Sequence, residues 1–400
     1  MSARRRDTMP VAALKVAARL VQERITRATP ADLADIPSSA ARITPEWMTQ
    51  VMCRDAAGAR VEVLEMLGGT DGTHERKRIG LRYNDAGRAA GLPPSVFTKT
   101  LPSLTTRMLV GYMGHARYEM LFYTRIRPEL RIETPVCYHS ASDKRSFAAV
   151  HVIEDLAASK RARFGDETLV LTRPQAEDLV DLLAELHGTF LGSPRLVSGD
   201  LKWLVRYHDW FTIGVERVHT DRYCEKATTK AARLVPARLL ARRAEIWPAA
   251  MRALDIHRGR PLTVIHSDVH VANWYVTGEG RMGLLDWQCV TAGHWARDLA
   301  YALATCLPIE NRRLWERELV ARYAARLSDR AGSRITFDEA WLGYRQQMLH
   351  ALMMWTQTLC HPIFQPNSQR DELTYALLER CYVAIDDLDS LDACDERLAA

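Results

Sequence analysis

The sequence predicts an α+β protein with a small β-rich first part and a large, mostly helical second part. Short runs rich in β-branched and apolar residues, separated by turn signals, occupy residues 60–101. A buried-strand pattern follows at 146–157, and helical periodicity prevails from about Pro174 onward. At 400 residues and 47% hydrophobic composition, the chain is long enough for two or three domains or lobes.

The composition gives expectations about the partners and the location of the protein. The chain has 54 basic and 49 acidic residues, and its net charge of +5 is spread along the sequence, so we expect no nucleic-acid partner. Eight Cys without a C-x-x-C pair indicate reduced thiols in a cytoplasm. Since no apolar run reaches about 18 residues, we expect no integral membrane association. The oligomeric state stays open.

The N-terminal stretch MSARRRDTMPVAALKVAARLVQERI has the pattern of an amphipathic helix. Leu14, Ala17, Ala18, Val21 and Ile25 share one face of that helix. The stretch has no unbroken apolar segment of the kind found in signal peptides. We expect the apolar face to dock on the body of the protein, with contact between the basic opening and anionic lipid as the alternative.

The β-rich part begins after a short helix, which Thr44 is expected to cap and Pro45 to start. Three strands are then predicted as a meander, and a long helix is expected from about Thr105 to Ile126. The strand segments are RVEVLEML (60–67), RKRIGLRYND (76–85) and SVFTKTL (95–101).

The stretch VIHSDVHVANWYVTGEGRMGLLDWQ (264–288) concentrates polar groups between two short extended runs. His266, Asp268 and Asn273 follow the kinase spacing H-x-D-x-x-x-x-N, and Asp286 comes later in the place of a second acid. Phosphoryl transfer from ATP needs a carboxylate near the attacking hydroxyl, plus an amide and a second carboxylate to hold Mg²⁺. The motif therefore predicts ATP and Mg²⁺ as cofactors.

Other segments supply the remaining parts of such a site in the required order. A glycine-containing turn between the first two strands would surround the phosphates. Gly68 and Gly69 are expected to belong to this turn. Lys99 on the third strand would reach the phosphates, and Glu119 in the following helix would pair with that lysine. The backbone at 154–156 would meet the adenine. The candidate nucleotide-binding residues are Thr70, Asp71, Gly72, Thr73, Lys99, Glu119, Glu154, Asp155 and Leu156.

These residues resemble the kinase-like small-molecule phosphotransferases, the aminoglycoside phosphotransferase and choline kinase group, and within it the ecdysteroid-kinase-like branch. The resemblance spans roughly residues 45 to 390 and is carried by HSDVHVAN, LLDWQ, RDLAYAL, LAELHGTF, VIEDLA and YEMLFYTRIRPEL with TPVCY. It implies a bilobal protein-kinase-like fold, with a small β-rich N-lobe and a large, mostly helical C-lobe. The implied ranges are an N-terminal helical extension at 1–44, an N-lobe at 45–150, a hinge at 151–157 and a C-lobe at 158–400.

The same resemblance implies a role for each residue of the loop. Asp268 would be the catalytic base, with Asn273 and Asp286 as Mg²⁺ ligands. His266 would orient the loop, and Asp298 would brace it from the following helix. His187 is expected to be a structural histidine packed under the loop.

The chain departs from the family patterns at two positions. Ser267 stands where the commoner loop of the group has Gly, and Gln288 stands where many aminoglycoside-type members have a second acid. The sequence has no D-F-G and no A-P-E, so protein substrates are not expected.

We expect the acceptor to be a small-molecule hydroxylated compound, bulky and hydrophobic. Apolar side chains of the helical part would line its site, namely Trp203, Trp210, Trp341, Trp355, Met353, Met354 and Phe364. The alternative is a cationic antibiotic of the aminoglycoside type, recognised by Asp386, Asp387 and Asp389.

Three interpretations from other classes of protein remain. A nucleotide-binding pseudokinase could carry the same motif without catalysis. His266, Asp268 and His270 spell H-x-D-x-H, with His294 nearby in sequence, which could bind a transition metal in a hydrolase. An acyl-transfer enzyme is the third, but the chain has no G-x-S-x-G elbow.

Overall fold

The computed structural model describes residues 8–26, 29–72, 74–361 and 369–396, and it has the predicted α+β fold. The chain divides into two compact units. The first comprises the described residues up to Glu129, Pro135–Ala162 and Asp286–Gln288. The second comprises Leu130–Thr134, Arg163–Leu285 and the described residues from Cys289 onward. Asp286 therefore belongs to the first unit, although it lies in sequence among residues of the second.

The first unit contains a five-stranded antiparallel sheet, and the predicted three-strand meander forms one side of it. Its strands are β1 (Val61–Asp71), β2 (Glu75–Tyr83), β3 (Ser95–Thr100), β4 (Cys137–Ser142) and β5 (Ala149–Glu154). They lie in the order β1-β2-β3-β5-β4. Every residue of β5 is buried, as its continuous apolar pattern predicts.

Six α-helices accompany this sheet. They are α1 (Met9–Thr26), α2 (Pro45–Met52), α3 (Asp85–Ala89), α4 (Leu104–Thr106), α5 (His115–Leu121) and α6 (Leu156–Ser159). As predicted, Thr44 caps α2, because its hydroxyl accepts the Trp47 N–H at 3.1 Å. The core of the unit is formed where Trp47 and Met48 of α2 join Ile79, Val96 and Val150 of the sheet.

Most residues from Thr105 to Ile126 are helical as predicted, but the prediction of one continuous α-helix is wrong. The chain instead forms α4, a π-helical turn at Arg107–Gly111, then α5 and a second π-helical turn at Phe122–Ile126. Gly114 interrupts the helix with φ of +89°, a left-handed conformation that glycine adopts without steric cost. A Cβ at this position would lie 3.1 Å from the ring of Tyr118, so close packing also favours glycine there.

The predicted docking face of α1 is also wrong. Leu14 and Ile25 are 73% and 76% exposed, whereas Ala12, Val16 and Leu20 on the other side of the helix are buried. A periodic pattern identifies a stripe but not what covers it. Here the face with Ala12, Val16 and Leu20 packs on the first unit, and the face with Leu14 and Ile25 is exposed to solvent.

The second unit is mostly helical, with two small antiparallel sheets of orders β6-β8-β9 and β10-β7. Its strands are β6 (Arg163–Phe164), β7 (Thr263–Ile265), β8 (Trp274–Val276), β9 (Met282–Leu284) and β10 (Thr291–Gly293). Its helices are α7 (Arg173–Phe190), α8 (Tyr207–Val218), α9 (Thr220–Lys230), α10 (Ala237–Ala241), α11 (Arg243–Gly259), α12 (Ala296–Cys306), α13 (Ile309–Ala331), α14 (Phe337–Leu359), α15 (Asp371–Asp387) and α16 (Ser390–Ala393). Helix α12 is buried along its whole length and packs against α14.

Two predictions from composition can be compared with this structure. The eight Cys are all free thiols. Among the helices that the structure describes, none is both long enough and apolar enough to cross a membrane.

Candidate functional site

The loop that carries the H-x-D-x-x-x-x-N motif joins β7 to β8 in the second unit. The Nδ1 of His266 accepts the N–H of Asp268 at 3.2 Å, and its Nε2 donates to the carbonyl of Leu285 at 2.9 Å. These two bonds require a neutral ring with its proton on Nε2. His266 thereby connects the start of the loop to the residue that follows β9.

Asp298, in the first turn of α12, accepts hydrogen bonds from the backbone of the same loop. Its Oδ2 lies 2.6 Å from the N of His266, and its Oδ1 lies 3.0 Å from the N of Ser267. The Nε2 of His187 lies 3.4 Å from Oδ2, and the other ring nitrogen contacts the Tyr323 hydroxyl. Burial by itself would raise the pKa of Asp298, but the hydrogen bond and charge of His187 outweigh it, so the pKa is lowered.

Ser267, the departure from the family's glycine, has a left-handed backbone with φ of +70°. This conformation costs a residue with a Cβ about 1–2 kcal/mol. The Ser267 hydroxyl lies 2.6 Å from the hydroxyl of Thr291, a hydrogen bond that glycine could not make. The departure is thus accommodated within the second unit by one added side-chain contact.

The carboxylate of Asp268 is surrounded by polar side chains of the second unit. Its Oδ2 accepts the Nδ2 of Asn273 at 3.2 Å, and its Oδ1 accepts the hydroxyl of Tyr301 at 3.3 Å. The Nε2 of His270 lies 3.6 Å from Oδ2. Burial and then the charge of Asp268 raise the pKa of Tyr301 well above its ordinary value, so this hydroxyl stays protonated.

The contact with Tyr301 was missed by sequence reasoning. A signal existed, because Tyr301 lies three residues after Asp298 and therefore on the same face of α12.

Lys99 on β3 joins two carboxylates in the interior of the first unit. Its Nζ lies 2.7 Å from Oε1 of Glu119 and 2.9 Å from Oδ1 of Asp286. Burial alone would lower the pKa of Lys99, but Asp286 and Glu119 outweigh it and the pKa is raised. Burial would raise the pKa of Asp286, whereas Lys99 and Arg76 lower it strongly. The structure thus brings the three predicted side chains together.

Arg76 is a fourth member of this group and was not identified from the sequence. It lies directly opposite Lys99 in the β2–β3 register, and its Nη2 is 3.7 Å from Oδ2 of Asp286. Two cations at such a cross-strand position repel unless a counter-ion is near, and Asp286 supplies one. Residues 76–78 read as a basic run in sequence, and only the strand register shows that Arg76 faces the site.

The glycines of the β1–β2 hairpin are distributed differently from the prediction. Gly68 and Gly69 lie within β1, at and just after a shift in register, and not in the turn. Gly69 has φ of +155°, and a Cβ there would lie 2.0 Å from the carbonyl oxygen of Arg76. The turn itself is closed by the Gly72 N–H, which donates to the carbonyl of His74 at 3.0 Å.

The remaining residues of the predicted cradle are only partly described. Thr70 is exposed near the end of β1. The side chain of Asp71 and the whole of Thr73 lie outside the described residues.

The predicted hinge residues lie at the end of β5 and just after it, and the carboxylates of Glu154 and Asp155 have partners in the first unit. Asp155 accepts Nε of Arg78 at 3.1 Å and the hydroxyl of Ser95 at 2.7 Å. The N–H of Glu154 donates to the carbonyl of Val136 at 2.8 Å, and Leu156 is buried at the start of α6. The Glu154 N–H is therefore already bonded within the protein, while the expected adenine contact at 154–156 stays a prediction.

The comparisons with known proteins can be set beside this geometry. A family model described as APH, the phosphotransferase enzyme family, matches residues 113–344, which is more than half of the chain. The chain belongs to this phosphotransferase family. It is a kinase-like small-molecule phosphotransferase that acts on a hydroxyl group, as the motif and the resemblance predict. The narrower likeness to the ecdysteroid-kinase-like branch stays a prediction. A search of curated proteins found no match.

Solved structures similar to this phosphotransferase include three kinases of small molecules. Choline kinase LicA from Streptococcus pneumoniae is 14% identical, with 82% of this chain and 94% of that chain covered and a TM-score of 0.44. Spectinomycin phosphotransferase APH(9)-Ia, in complex with ADP and spectinomycin, is 14% identical, with coverage of 88% and 99% and a TM-score of 0.45. Plasmodium vivax ethanolamine kinase is 11% identical, with coverage of 82% and 83% and a TM-score of 0.45.

The acidic residues near the end of α15, which the cationic-antibiotic alternative would use, already have arginine partners in the phosphotransferase. Arg238 binds Asp386 at 3.0 Å and Asp389 at 2.5 Å. Asp387 accepts Nε of Arg313 at 2.8 Å and also pairs with Arg312. Each of the three acids is thus paired with an arginine of the second unit, so a cationic ligand would have to compete with that arginine.

The apolar residues proposed for acceptor binding fall into two groups. Met353 and Trp355 on α14 are buried, whereas Trp203, Trp210, Trp341 and Met354 are partly exposed. Phe364 lies outside the described residues. The ring of Trp355 meets that of His270 edge-on, with ring centroids 5.2 Å apart. A buried tryptophan therefore packs against a histidine that contacts Asp268.

The alternative of a transition-metal site gains no support from the phosphotransferase structure. Within the described parts of the chain, no group of three or more His, Cys, Asp or Glu side chains lies close enough together to hold a metal ion. His270 instead contacts Asp268 and Asn273 through its Nε2.

Proposed function

We propose that this chain transfers the γ-phosphoryl group of ATP to a hydroxyl of a small, bulky and hydrophobic acceptor. The observation that carries the proposal is the buried contact of Lys99 with both Glu119 and Asp286. In kinases, a strand lysine paired with a helix glutamate, together with a metal-binding aspartate, must be in place for phosphoryl transfer. A solvated structural lysine would not require two buried carboxylates.

Lys99 and Arg76 are the groups that we assign to the nucleotide phosphates. Both are cationic and lie side by side on adjacent strands, next to the β1–β2 hairpin. Glu119 would hold Lys99 in place, and the exposed end of the hairpin, around Thr70 and Gly72, would cover the phosphates. Backbone N–H groups of such glycine turns suit phosphate oxygens.

Asp268 is proposed as the base that receives the proton of the acceptor hydroxyl. Asn273 and Tyr301 each donate a hydrogen bond to its carboxylate and orient it. His266 and Asp298 position the loop through their bonds to its backbone. Positioning of this kind supplies much of the catalysis in phosphoryl transfer.

Asn273 and Asp286 are the residues that would hold Mg²⁺. Carboxylate and amide oxygens are the ligands that Mg²⁺ prefers. The lowered pKa of Asp286 keeps its carboxylate ionised. Within the described residues, the side-chain hydrogen bonds of Asn273 run from its Nδ2, which leaves Oδ1 as an oxygen ligand. When bound, the ion would neutralise charge on the phosphate oxygens.

A hydrophobic acceptor is favoured over a cationic one by two observations. Trp355 packs edge-on against His270, whose Nε2 lies 3.6 Å from the Asp268 carboxylate. The acids Asp386, Asp387 and Asp389 are already paired with arginines. The free thiols agree with a cytoplasmic location for the enzyme, which we propose on that ground.

A phosphate-transfer screen by mass spectrometry tests the proposal. Purified protein, ATP and Mg²⁺ are incubated with hydroxylated lipophilic compounds and, separately, with aminoglycosides. We expect one lipophilic compound to gain the mass of a phosphate, and Asp268→Asn to lower this rate at least about 10³-fold while ATP still binds. Asp209→Asn, a change of an exposed aspartate on α8, is the matched control and should retain activity.

Other outcomes discriminate between the alternatives. Phosphorylation of aminoglycosides alone would overturn the hydrophobic acceptor but not the kinase. An Asp268→Asn variant with wild-type turnover would refute the proposed base. ATP binding without hydrolysis or transfer to any member of a broad acceptor library would favour a pseudokinase.

A further inference from the structure

Helix α1 presents an apolar stripe to solvent. Successive residues of an α-helix are about 100° apart, so Val11, Leu14, Ala18, Val21 and Ile25 lie within an arc of about 80°. The exposed fractions of the four larger side chains are 42%, 73%, 55% and 76% in that order, and Ala18 is also exposed. A continuous exposed apolar stripe on an 18-residue helix marks a surface for an external partner.

The opposite side of the helix anchors it to the first unit. Ala12, Val16 and Leu20 are buried. The carboxylate of Glu23 accepts two hydrogen bonds from the buried guanidinium of Arg107, at 2.7 and 2.9 Å. Since this ion pair fixes the rotation of α1, the apolar stripe cannot turn inward without leaving Arg107 buried and without its carboxylate partner.

Basic side chains border the stripe on both sides. Lys15 and Arg24 lie about 80° and 100° from its centre in opposite directions, and Arg19 lies beyond Lys15. All three are exposed. Glu23 is the only acid in the α1 sequence, and it lies on the anchored side. In the sequence, three further arginines precede the helix at positions 4–6.

We propose that this face of α1 binds an anionic lipid surface, with the helix lying parallel to the membrane plane. An apolar stripe flanked by Lys and Arg is the arrangement of helices that lie in the lipid headgroup region. A second copy of the chain fits less well, because self-pairing of this face would bring the basic borders of two helices together. Four large side chains also fall short of the roughly 20–30 residues per partner in a stable interface.

Co-sedimentation with lipid vesicles tests the proposal. The full chain is mixed with vesicles of phosphatidylcholine, or of phosphatidylcholine with phosphatidylglycerol, at low and high salt. We expect a several-fold larger bound fraction with the anionic vesicles and a marked decrease at high salt, since surface charges are screened. Leu14→Glu should lower binding about tenfold, and Arg24→Gln should weaken binding to anionic vesicles only.

Leu314→Glu is the matched control, because Leu314 on α13 is 73% exposed, like Leu14. It should bind vesicles as the wild type does, and thermal unfolding confirms that each variant is folded. Equal binding to neutral and anionic vesicles, absence of binding, or equal effects of Leu14→Glu and Leu314→Glu would overturn the proposal. So would a lipid-free dimer, detected by sedimentation velocity, that Leu14→Glu dissociates.

Discussion

The hydroxyl of Ser267 lies 2.6 Å from the hydroxyl of Thr291, beside the loop that carries Asp268. Ser267 has a left-handed backbone, and its N–H donates to Asp298 at 3.0 Å. Glycine would adopt this backbone without steric cost but would forgo the side-chain bond. The loop therefore depends on a hydrogen bond at the position where the chain departs from its family's pattern.

Two variants of Ser267 separate backbone strain from hydrogen bonding. Ser267→Ala keeps the left-handed strain and removes the bond to Thr291, so we expect it to lower the free energy of unfolding by about 1–2 kcal/mol. Ser267→Gly removes both, and we expect it to lie within about 1 kcal/mol of wild type. Chemical denaturation measures both values. A smaller loss for Ala than for Gly would contradict this account.

The Lys99–Glu119 pair predicts a specific effect on catalysis. Glu119→Gln preserves shape but removes the charge that holds Lys99, so we expect kcat/KM for ATP to fall about 10²-fold. Glu129→Gln is the control, since Glu129 is another acid of the same region but is exposed. Steady-state kinetics with the identified acceptor measures both variants. Equal loss in both would remove Glu119 from the proposed site.

Arg76 gives a prediction that the sequence alone could not have raised. Arg76→Gln should raise KM for ATP about tenfold with a smaller change in kcat, because one phosphate contact is lost while Lys99 remains. Arg82→Gln, at an exposed position of the same strand, should leave KM unchanged. An unchanged KM for Arg76→Gln would mean that Arg76 contacts Asp286 but does not bind the nucleotide phosphates.

A buried histidine predicts how stability depends on pH. Burial lowers the pKa of His257 to about 4; its Nε2 lies 2.8 Å from Oε1 of Gln347, and its Nδ1 accepts the His294 N–H. The unfolded chain takes up this proton near pH 6.5. Between pH 6.5 and 4 the unfolded state binds more protons than the folded state. The free energy of unfolding therefore decreases as the pH is lowered, by up to about 3 kcal/mol from this residue. Burial lowers the pKa of His294 and His350 as well, which adds to the slope.

Urea denaturation between pH 7.5 and 4.5 measures this dependence. In His257→Gln the slope of the free energy of unfolding against pH should be shallower, whatever the stability of the variant at pH 7.5. An identical slope in both proteins would assign the pH dependence to other groups.

Local patterns predicted several features of the fold correctly. The three strands of the meander and the Thr44 cap depend on neighbours in sequence, and these appear as expected. The prediction of one continuous α-helix after β3 failed because the two π-helical turns and the break at Gly114 depend on tertiary packing, which sequence periodicity does not report. The prediction of which face of α1 docks failed for the same reason, since the ion pair with Arg107 selects the face that packs.

The spacing of His266, Asp268, Asn273 and Asp286 is a property of the chain itself, and together with the other motifs it predicted the phosphotransferase family. Contacts between side chains that are distant in sequence were determined by the tertiary structure. The register of β2 and β3 places Arg76 beside Lys99. Folding then brings Asp286 to both, although it lies 187 positions after Lys99 in the sequence. The physical reason is that motif spacing reflects local backbone geometry, whereas burial, ion pairing and the resulting pKa shifts arise only when remote segments exclude water together.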